Sequence, residues 1–266
     1  MIVYGRNPVF EALRGRRARV LKDVWATGAT AREPWLKRAK ARVVSGEEIE
    51  RRCGSPSHQG VCADAGPYPY VSSDQLLGQT EPLILALDQV QDPQNLGSIC
   101  RTAECVGAAG VVIPERRAAE VTPAVCKASA GAVEHLRVAR VRNIADFLAE
   151  ARDAGCWCYG AGGEEDSAER AERDAPAERG GSAAGRASSA GRAPVAYDVP
   201  DYAGAGVVLV LGSEGSGLRP RVAGACDELI ALPLLGRIES LGVSAAAAAI
   251  LYEILQKRKG GLDNSP

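Results

Sequence analysis

"LILALDQVQDPQNLGSICRTAECVGAAGVVIP" (residues 83–114) reads as a strand, a polar turn, an amphipathic helix and a second strand. The first apolar run stops at Asp88-Gln89, and Asp92 to Asn95 offer side chains that can cap a helix. Along that helix Leu96, Ile99, Ala103 and Val106 recur at a 3.6-residue period, the signature of a face turned to the core. Arg101 falls roughly opposite that stripe, so it is free to point away from the core, above the strand ends. Taken by itself such a residue is an ordinary surface arginine.

The same alternation continues downstream. "LRVARV", "CWCYGAG", "VVLVLG" and "LIALPLL" are short runs rich in Val, Ile, Leu or aromatic residues, and helical patterns fall near 121–134, 143–154 and 219–227 as well as 94–108. Strands that are apolar throughout and alternate with helices predict a parallel sheet covered on both faces. Ligands of such sheets lie beyond the carboxyl ends of the strands.

Two regions depart from this pattern. Residues 1–69 mix strand-like runs ("VLKDVWAT", "GVCADAG") with helix-like ones ("NPVFEALRG", "AREPWLKRAKA", "SGEEIERRC"). Asn7-Pro8 and Ser45 with its early glutamates resemble helix starts. This predicts a small α/β domain, followed by a Pro-, Gly- and Ser-containing linker over 70–81 and a larger domain over 82–266. Residues 160–194 contain no Val, Ile, Leu, Met, Phe, Tyr, Trp or Cys and read as a mobile insertion, because they cannot bury enough surface to offset their ordering entropy.

Composition bounds the function classes. With 46% hydrophobic and 24% charged residues the chain has the profile of a globular protein. No apolar run reaches the ~20 residues that cross a bilayer, and the opening residues lack the pattern of a secretory signal, so a cytoplasmic location is expected. Eight cysteines without a Cys-x-x-Cys pair, and only His58 and His135 as imidazoles, favour reduced and mostly buried thiols over disulfides or a metal site. The net charge is −1, yet residues 1–52 hold 13 Lys/Arg against 6 Asp/Glu. That surplus is consistent with a polyanion-binding surface or with a solvated face.

Two glycine-containing turns follow consecutive strands, "VLVLGSEGSGL" (208–218) and "PLLGRIESLGVS" (233–244). Parallel strands deliver both to one sheet edge. There they could clamp a small planar ligand by peptide groups, with aliphatic walls from Leu232, Leu234 and Leu241. Glu214 repels phosphate and no Lys-Ser or Lys-Thr follows, which argues against a triphosphate.

In order, "DPQNLGSICRTAECVGAAGVVIP", "LVLGSEGSGL" and "LIALPLLGRIESLGVSAAAA" resemble the three signature motifs of the SpoU/TrmH-type RNA ribose 2′-O-methyltransferases of the SPOUT superfamily. "YGRNPVFEAL" and "SHQGVCA" are similar to the substrate-binding domain of that family. The resemblance spans about Leu83 to Lys259, apart from the insertion. It implies an α/β fold whose C-terminal SPOUT domain has a parallel sheet and a deep trefoil knot, with a small N-terminal α/β substrate-binding domain.

The same resemblance implies S-adenosyl-L-methionine as cofactor, bound by Leu211, Gly212, Ser213, Gly215, Leu232, Leu234, Leu241 and Val243. Asn95, Arg101, Glu214 and Ser240 would form the catalytic centre. A ribose hydroxyl is a poor nucleophile near neutral pH, and a guanidinium rarely gives up its proton. Arg101, the base the resemblance implies, is therefore expected to stabilise charge and hold phosphate, giving up its proton only if a bound RNA phosphate assists, with Glu214 orienting Arg101 or Asn95, or else capping the next helix. The family usually has Ser-Leu-Asn-Val-Ser in its third motif, whereas here Gly242 stands at the Asn position.

The helix "SAAAAAILYEILQKRK" shows no evident polar face and is expected to bury nearly all round, inside the chain or against a second copy. The resemblance implies a homodimer whose site draws on both chains. The expected substrate is a guanosine ribose of 23S rRNA, with tRNA as the alternative RNA, and neither a metal nor a membrane is implied. A non-catalytic RNA-binding or ribosome-assembly protein of the same fold is the competing class. A Rossmann-type oxidoreductase fails on motif order, since "DPQNLGS" is no Gly-x-Gly-x-x-Gly.

Overall fold

Each of the seven strands in the main sheet runs parallel to its neighbours, in the order β7-β6-β5-β10-β8-β11-β9. The structure, a computed structural model, describes residues 1–162, 193–213, 215, 217–238 and 240–263. The strands are β5 (Leu83–Leu87), β6 (Gly110–Pro114), β7 (Val138–Val141), β8 (Trp157–Ala161), β9 (Val195–Ala196), β10 (Val207–Leu211) and β11 (Glu228–Ala231). The helices that cover them are α4 (Pro93–Cys105), α5 (Pro123–Ala128), α6 (Ile144–Asp153), α7 (Pro220–Ala225) and α8 (Val243–Asp263). On β5 the side chains of Leu83, Leu85 and Leu87 join a core with α4, α5 and α8, while Ile84 and Ala86 join another with α6 and α7. Burial on both faces explains why the strands are apolar at every position. Of the predicted insertion, 160–162 complete β8 and its exit and 193–194 lead into β9; 163–192 lie outside the described residues.

The N-terminal unit is a four-stranded sheet in the order β1-β4-β2-β3, from β1 (Ile2–Tyr4), β2 (Asp23–Ala26), β3 (Arg42–Val43) and β4 (Val61–Asp64). Its helices are α1 (Arg6–Ala12) and α2 (Gly46–Cys53). Ser45 caps α2 by accepting a hydrogen bond from the Glu48 amide at 3.2 Å, as its position suggested. Asn7 does not cap α1: the helix begins at Arg6, and the N-cap is Gly5 at φ +96°, without a side-chain bond.

Two predicted helices are broken. "AREPWLKRAKA" forms two 3₁₀ turns, Thr30–Arg32 and Pro34–Ala39, because Glu33 before Pro34 is extended (φ −59°, ψ 134°). The helix expected over 121–134 is α5 followed by a 3₁₀ turn, Ala132–Glu134. The break lies at Ala130 (φ +51°) and Gly131 (φ +90°), where a Cβ on Gly131 would sit 2.8 Å from the side chain of Glu11. Close approach by the N-terminal unit thus decides the break.

The segment 70–81 is docked. The Tyr70 hydroxyl accepts a hydrogen bond from the Val121 amide at 2.9 Å, Val71 bridges Ala139, and Leu76 of the short helix α3 (Asp74–Leu77) is fully buried. Just before it, the Tyr68 hydroxyl donates to the carbonyls of Val133 and Leu136 (3.0 and 2.9 Å), and one core runs from Val3 and Val9 through to Val125 and Val133. Helix α8 buries a single stripe, Val243, Ala247, Ile250, Leu251 and Ile254, and leaves Ala245, Ala249 and Tyr252 exposed. Within this chain it is not buried all round, since the core lies on one side only.

Candidate active site

The register fixes which residues share an edge. Leu87, Leu211 and Ala161 are aligned across β5, β10 and β8, and Ile230 of β11 pairs with Ala161. The chain therefore leaves the sheet at Asp88, Gly212, Gly162 and Leu232 along one carboxyl edge, so the two glycine turns emerge together, one strand apart.

The first turn folds on itself. Ser213 and Gly217 exchange a pair of backbone hydrogen bonds, both 3.1 Å, and a Cβ on Gly212 would lie 2.1 Å from the Gly217 carbonyl carbon. Gly215 and Gly217 adopt φ +83° and +60°, where L side chains are strained. These glycines are demanded by the hairpin itself. Glu214, inside it, lies outside the described residues.

An ion pair anchors this hairpin. Asp88 is fully buried at the end of β5 and donates its amide to the Leu211 carbonyl at 2.7 Å. Its carboxylate accepts from the Arg219 side chain (Nε 2.8 Å, Nη2 2.7 Å) and from the Arg219 amide (3.0 Å). Both ends of the turn are thereby held against β5.

The second turn is open. Leu232 is half-buried, Leu234 and Leu241 are 43% and 48% exposed, Ser240 is exposed, and Val243 is buried as α8 begins. Gly242 directly precedes that helix, its carbonyl accepting from the Ala245 and Ala246 amides (2.9 and 3.0 Å), and a Cβ there would meet nothing within 4 Å. Leu234 and Leu241, expected as walls for a planar ligand, are exposed on this edge.

On α4, Asp92 serves two neighbours. One carboxylate oxygen caps the helix through the Gln94 amide at 3.0 Å, and the other accepts from Asn95 Nδ2 at 3.2 Å. Asn95 thus sits at the carboxyl edge of the sheet. Arg101 lies six residues on, about 9 Å further down the helix at ~1.5 Å per residue, and is exposed. It lines a cavity of about 470 Å³ whose other walls include Phe10, Glu11 and Arg14 from around α1, and Ser129 and His135 around the α5 break. No described residue of either glycine turn lines that cavity. Within one chain, Asn95 and the turns share an edge while Arg101 faces the N-terminal unit.

That unit is locked in place by Arg17 and Glu134, both fully buried. Arg17 Nε donates to Glu134 Oε2 at 2.8 Å and Nη2 to Oε1, while Nη1 reaches the Gly66 carbonyl at 3.4 Å. Burial acts to lower the Arg17 pKa, but the hydrogen bond and charge of Glu134 outweigh it, and the net direction is upward. Six of the eight cysteines are buried, and burial pushes the Cys62, Cys100 and Cys126 thiols up to about 12. Among the described residues no group of three or more His, Cys, Asp or Glu side chains could hold a metal, and no helix is long and apolar enough to cross a membrane.

Sequence reasoning missed the Asp88–Arg219 clamp and the Arg17–Glu134 pair. An aspartate closing an apolar strand was a signal for the first. The second, 117 residues apart, left none.

A parallel sheet carrying two glycine turns on its carboxyl edge, with a docked basic α/β unit, defines an α/β protein of two units with a ligand-sized edge beside a basic surface. The SpoU rRNA Methylase family matches residues 82–252, and the RNA 2′-O ribose methyltransferase substrate binding family matches residues 2–71. The chain belongs to the SpoU/TrmH family of RNA methyltransferases. It is 36% identical over 269 residues to YacO of Bacillus subtilis (strain 168), named as a TrmH family tRNA/rRNA methyltransferase, with 96% of this chain and 95% of that protein covered. Among solved structures, a TrmH family protein from Porphyromonas gingivalis superposes with a TM-score of 0.64 at 28% identity (97% of this chain, 89% of the other). The SpoU methyltransferase AviRb from Streptomyces viridochromogenes, solved in complex with AdoMet, shares the fold with a TM-score of 0.70 at 20% identity (97% and 89% covered).

Proposed function

We propose that the protein transfers a methyl group from S-adenosylmethionine to the 2′-hydroxyl of a guanosine ribose in 23S rRNA, working in the cytoplasm as a homodimer. The observation that carries the reading is the emergence of both glycine turns on one edge, with the Leu234 and Leu241 side chains exposed and Leu232 half-buried beside them. Such walls fit the apolar faces of an adenosyl group, and peptide groups of the turns fit its polar rim. The residues that would hold it are Leu211, Gly212, Ser213, Gly215, Leu232, Leu234, Leu241 and Val243, within the knotted C-terminal segment expected for the family. When bound, the sulfonium supplies an activated methyl group.

The remaining chemistry belongs to this chain. Asn95, oriented by Asp92, fixes the ribose through its amide. Arg101 keeps its proton and stabilises the negative charge that develops on the 2′-oxygen, whose own proton passes to solvent or an RNA phosphate as the oxygen takes the methyl group and S-adenosylhomocysteine leaves. Ser240 and Glu214 complete the proposed polar set, Glu214 by a charge-assisted hydrogen bond.

Arg101 faces away from the turns of its own chain, which supports a site shared between two chains. The exposed Leu235, Ile238, Leu241 and Tyr252 supply an apolar surface for that association. A tRNA guanosine is the second reading, favoured by the tRNA/rRNA naming of the relatives.

The test is transfer of tritiated methyl from S-adenosylmethionine to unmodified 23S rRNA and tRNA, followed by mapping of the labelled nucleotide. Label on a ribose of 23S rRNA is expected, and label on a base would overturn the reaction type. Arg101→Ala should abolish transfer and leave cofactor affinity within about threefold; loss of cofactor binding would refute its role.

A further inference from the structure

The cavity between the N-terminal unit and α4 is larger than Arg101 alone requires. At about 470 Å³ it falls within the ~300–1,000 Å³ of ligand-sized sites. Two guanidinium groups line it, Arg14 just after α1 and Arg101 on α4, and among the described residues neither has a carboxylate partner. Arg14 instead lies over the Phe10 ring, 4.9 Å from its centroid, and Phe10 packs edge-on against Trp35. One of the two carboxylates in the cavity is already engaged, since Glu11 Oε2 lies 2.7 Å from His135 Nε2. Glu104 remains as an acceptor. Two arginines without a carboxylate partner can take up an anion, and Glu11 is turned to His135 instead of to them.

We propose that the RNA strand carrying the target ribose passes through this interdomain cleft, its phosphates held by Arg14 of the N-terminal unit together with Arg101. Arg14 is then a positioning residue for the substrate. Glu104 and Asn7 face the strand as hydrogen-bond partners for sugar or base edges, and the Glu11–His135 pair spans the cleft between α1 and the α5 break. The inference rests on the proposed RNA substrate but not on which RNA is methylated. It also explains why the N-terminal unit is pinned by a buried ion pair: a phosphate site built from two domains works only if their spacing is fixed.

The cleft carries its own reporter. Cys105 lines it and is exposed, whereas of the other thiols only Cys53 is not fully buried. The experiment uses the full chain in a Cys53→Ser background, with unmodified transcripts of tRNA and of 23S rRNA fragments as probes. Binding is measured across a salt series, and alkylation of Cys105 is timed with and without RNA. Arg14→Ala, at an exposed position, should weaken binding several-fold and lower the salt slope by about 0.7–0.9, the loss of one phosphate contact. Arg14→Lys should recover part of the affinity, cofactor binding should not change, and saturating RNA should slow Cys105 alkylation at least fivefold.

An unchanged slope in Arg14→Ala, or Cys105 alkylation at the same rate with RNA bound, would overturn the cleft even if methyl transfer were demonstrated. Weakened binding in Arg14→Ala with RNA protection of Cys105, in a chain that methylates neither RNA, would uphold the cleft and remove the proposed reaction. A wild-type chain that binds none of the probes overturns both.

Discussion

Replacing Arg17 by methionine isolates the energetic consequence of the interdomain ion pair. Methionine fills much of the same volume, so the main change is electrostatic: Glu134, with its side chain fully buried, loses its cation. Removing one partner of such a pair costs about 3–5 kcal/mol, while removing both together is often close to neutral. For a chain of this size that corresponds to a fall in Tm on the order of 10 °C. Urea unfolding followed by fluorescence and by circular dichroism would measure it for Arg17→Met, Glu134→Leu and the double variant, as a double-mutant cycle. The double variant should recover to within about 1 kcal/mol of the wild type. A single variant that costs less than about 1 kcal/mol, or a double variant no more stable than the worse single one, would refute the claim that an unpaired buried charge dominates.

Three further outcomes are expected. Gly212→Ala forces a methyl group to within 2.1 Å of the Gly217 carbonyl carbon, so the hairpin must open; calorimetry should show cofactor affinity reduced at least tenfold, at a stability cost of about 1–3 kcal/mol. Asp88→Ala frees Arg219 and the hairpin exit, and the same titration should show weaker binding with a stability loss of about 1–3 kcal/mol, read from urea unfolding. Gly242→Asn enters open space at the start of α8. An asparagine cap should add a few tenths of a kcal/mol and preserve or raise methyl transfer, whereas a strong loss in the transfer assay would mean that this turn has diverged in shape.

Local chemistry made much of this molecule legible. The stripe Leu96, Ile99, Ala103 and Val106 lies buried on α4, Asp92 and Ser45 cap their helices, and the apolar runs are parallel strands, because period and capping depend on neighbours within a turn or two. That the two glycine turns share an edge followed from the alternation of strand and helix. The helix expected over 121–134 failed at Gly131 because Glu11, remote in sequence, packs there. The two 3₁₀ turns around Glu33-Pro34 had a local signal that the apolar pattern hid.

The sequence by itself determined the layered α/β frame, the edge that carries both glycine turns and the residue types offered there, since each depends on periodicity and on the handedness of strand–helix–strand units. Tertiary structure decided the rest. Asp88 meets Arg219 across 131 residues and Arg17 meets Glu134 across 117. Arg101 and Arg14 line one cleft that exists only once two units have docked. Such pairings join charges far apart in the chain, and no local pattern specifies them, because their geometry is set by how sheets and helices pack.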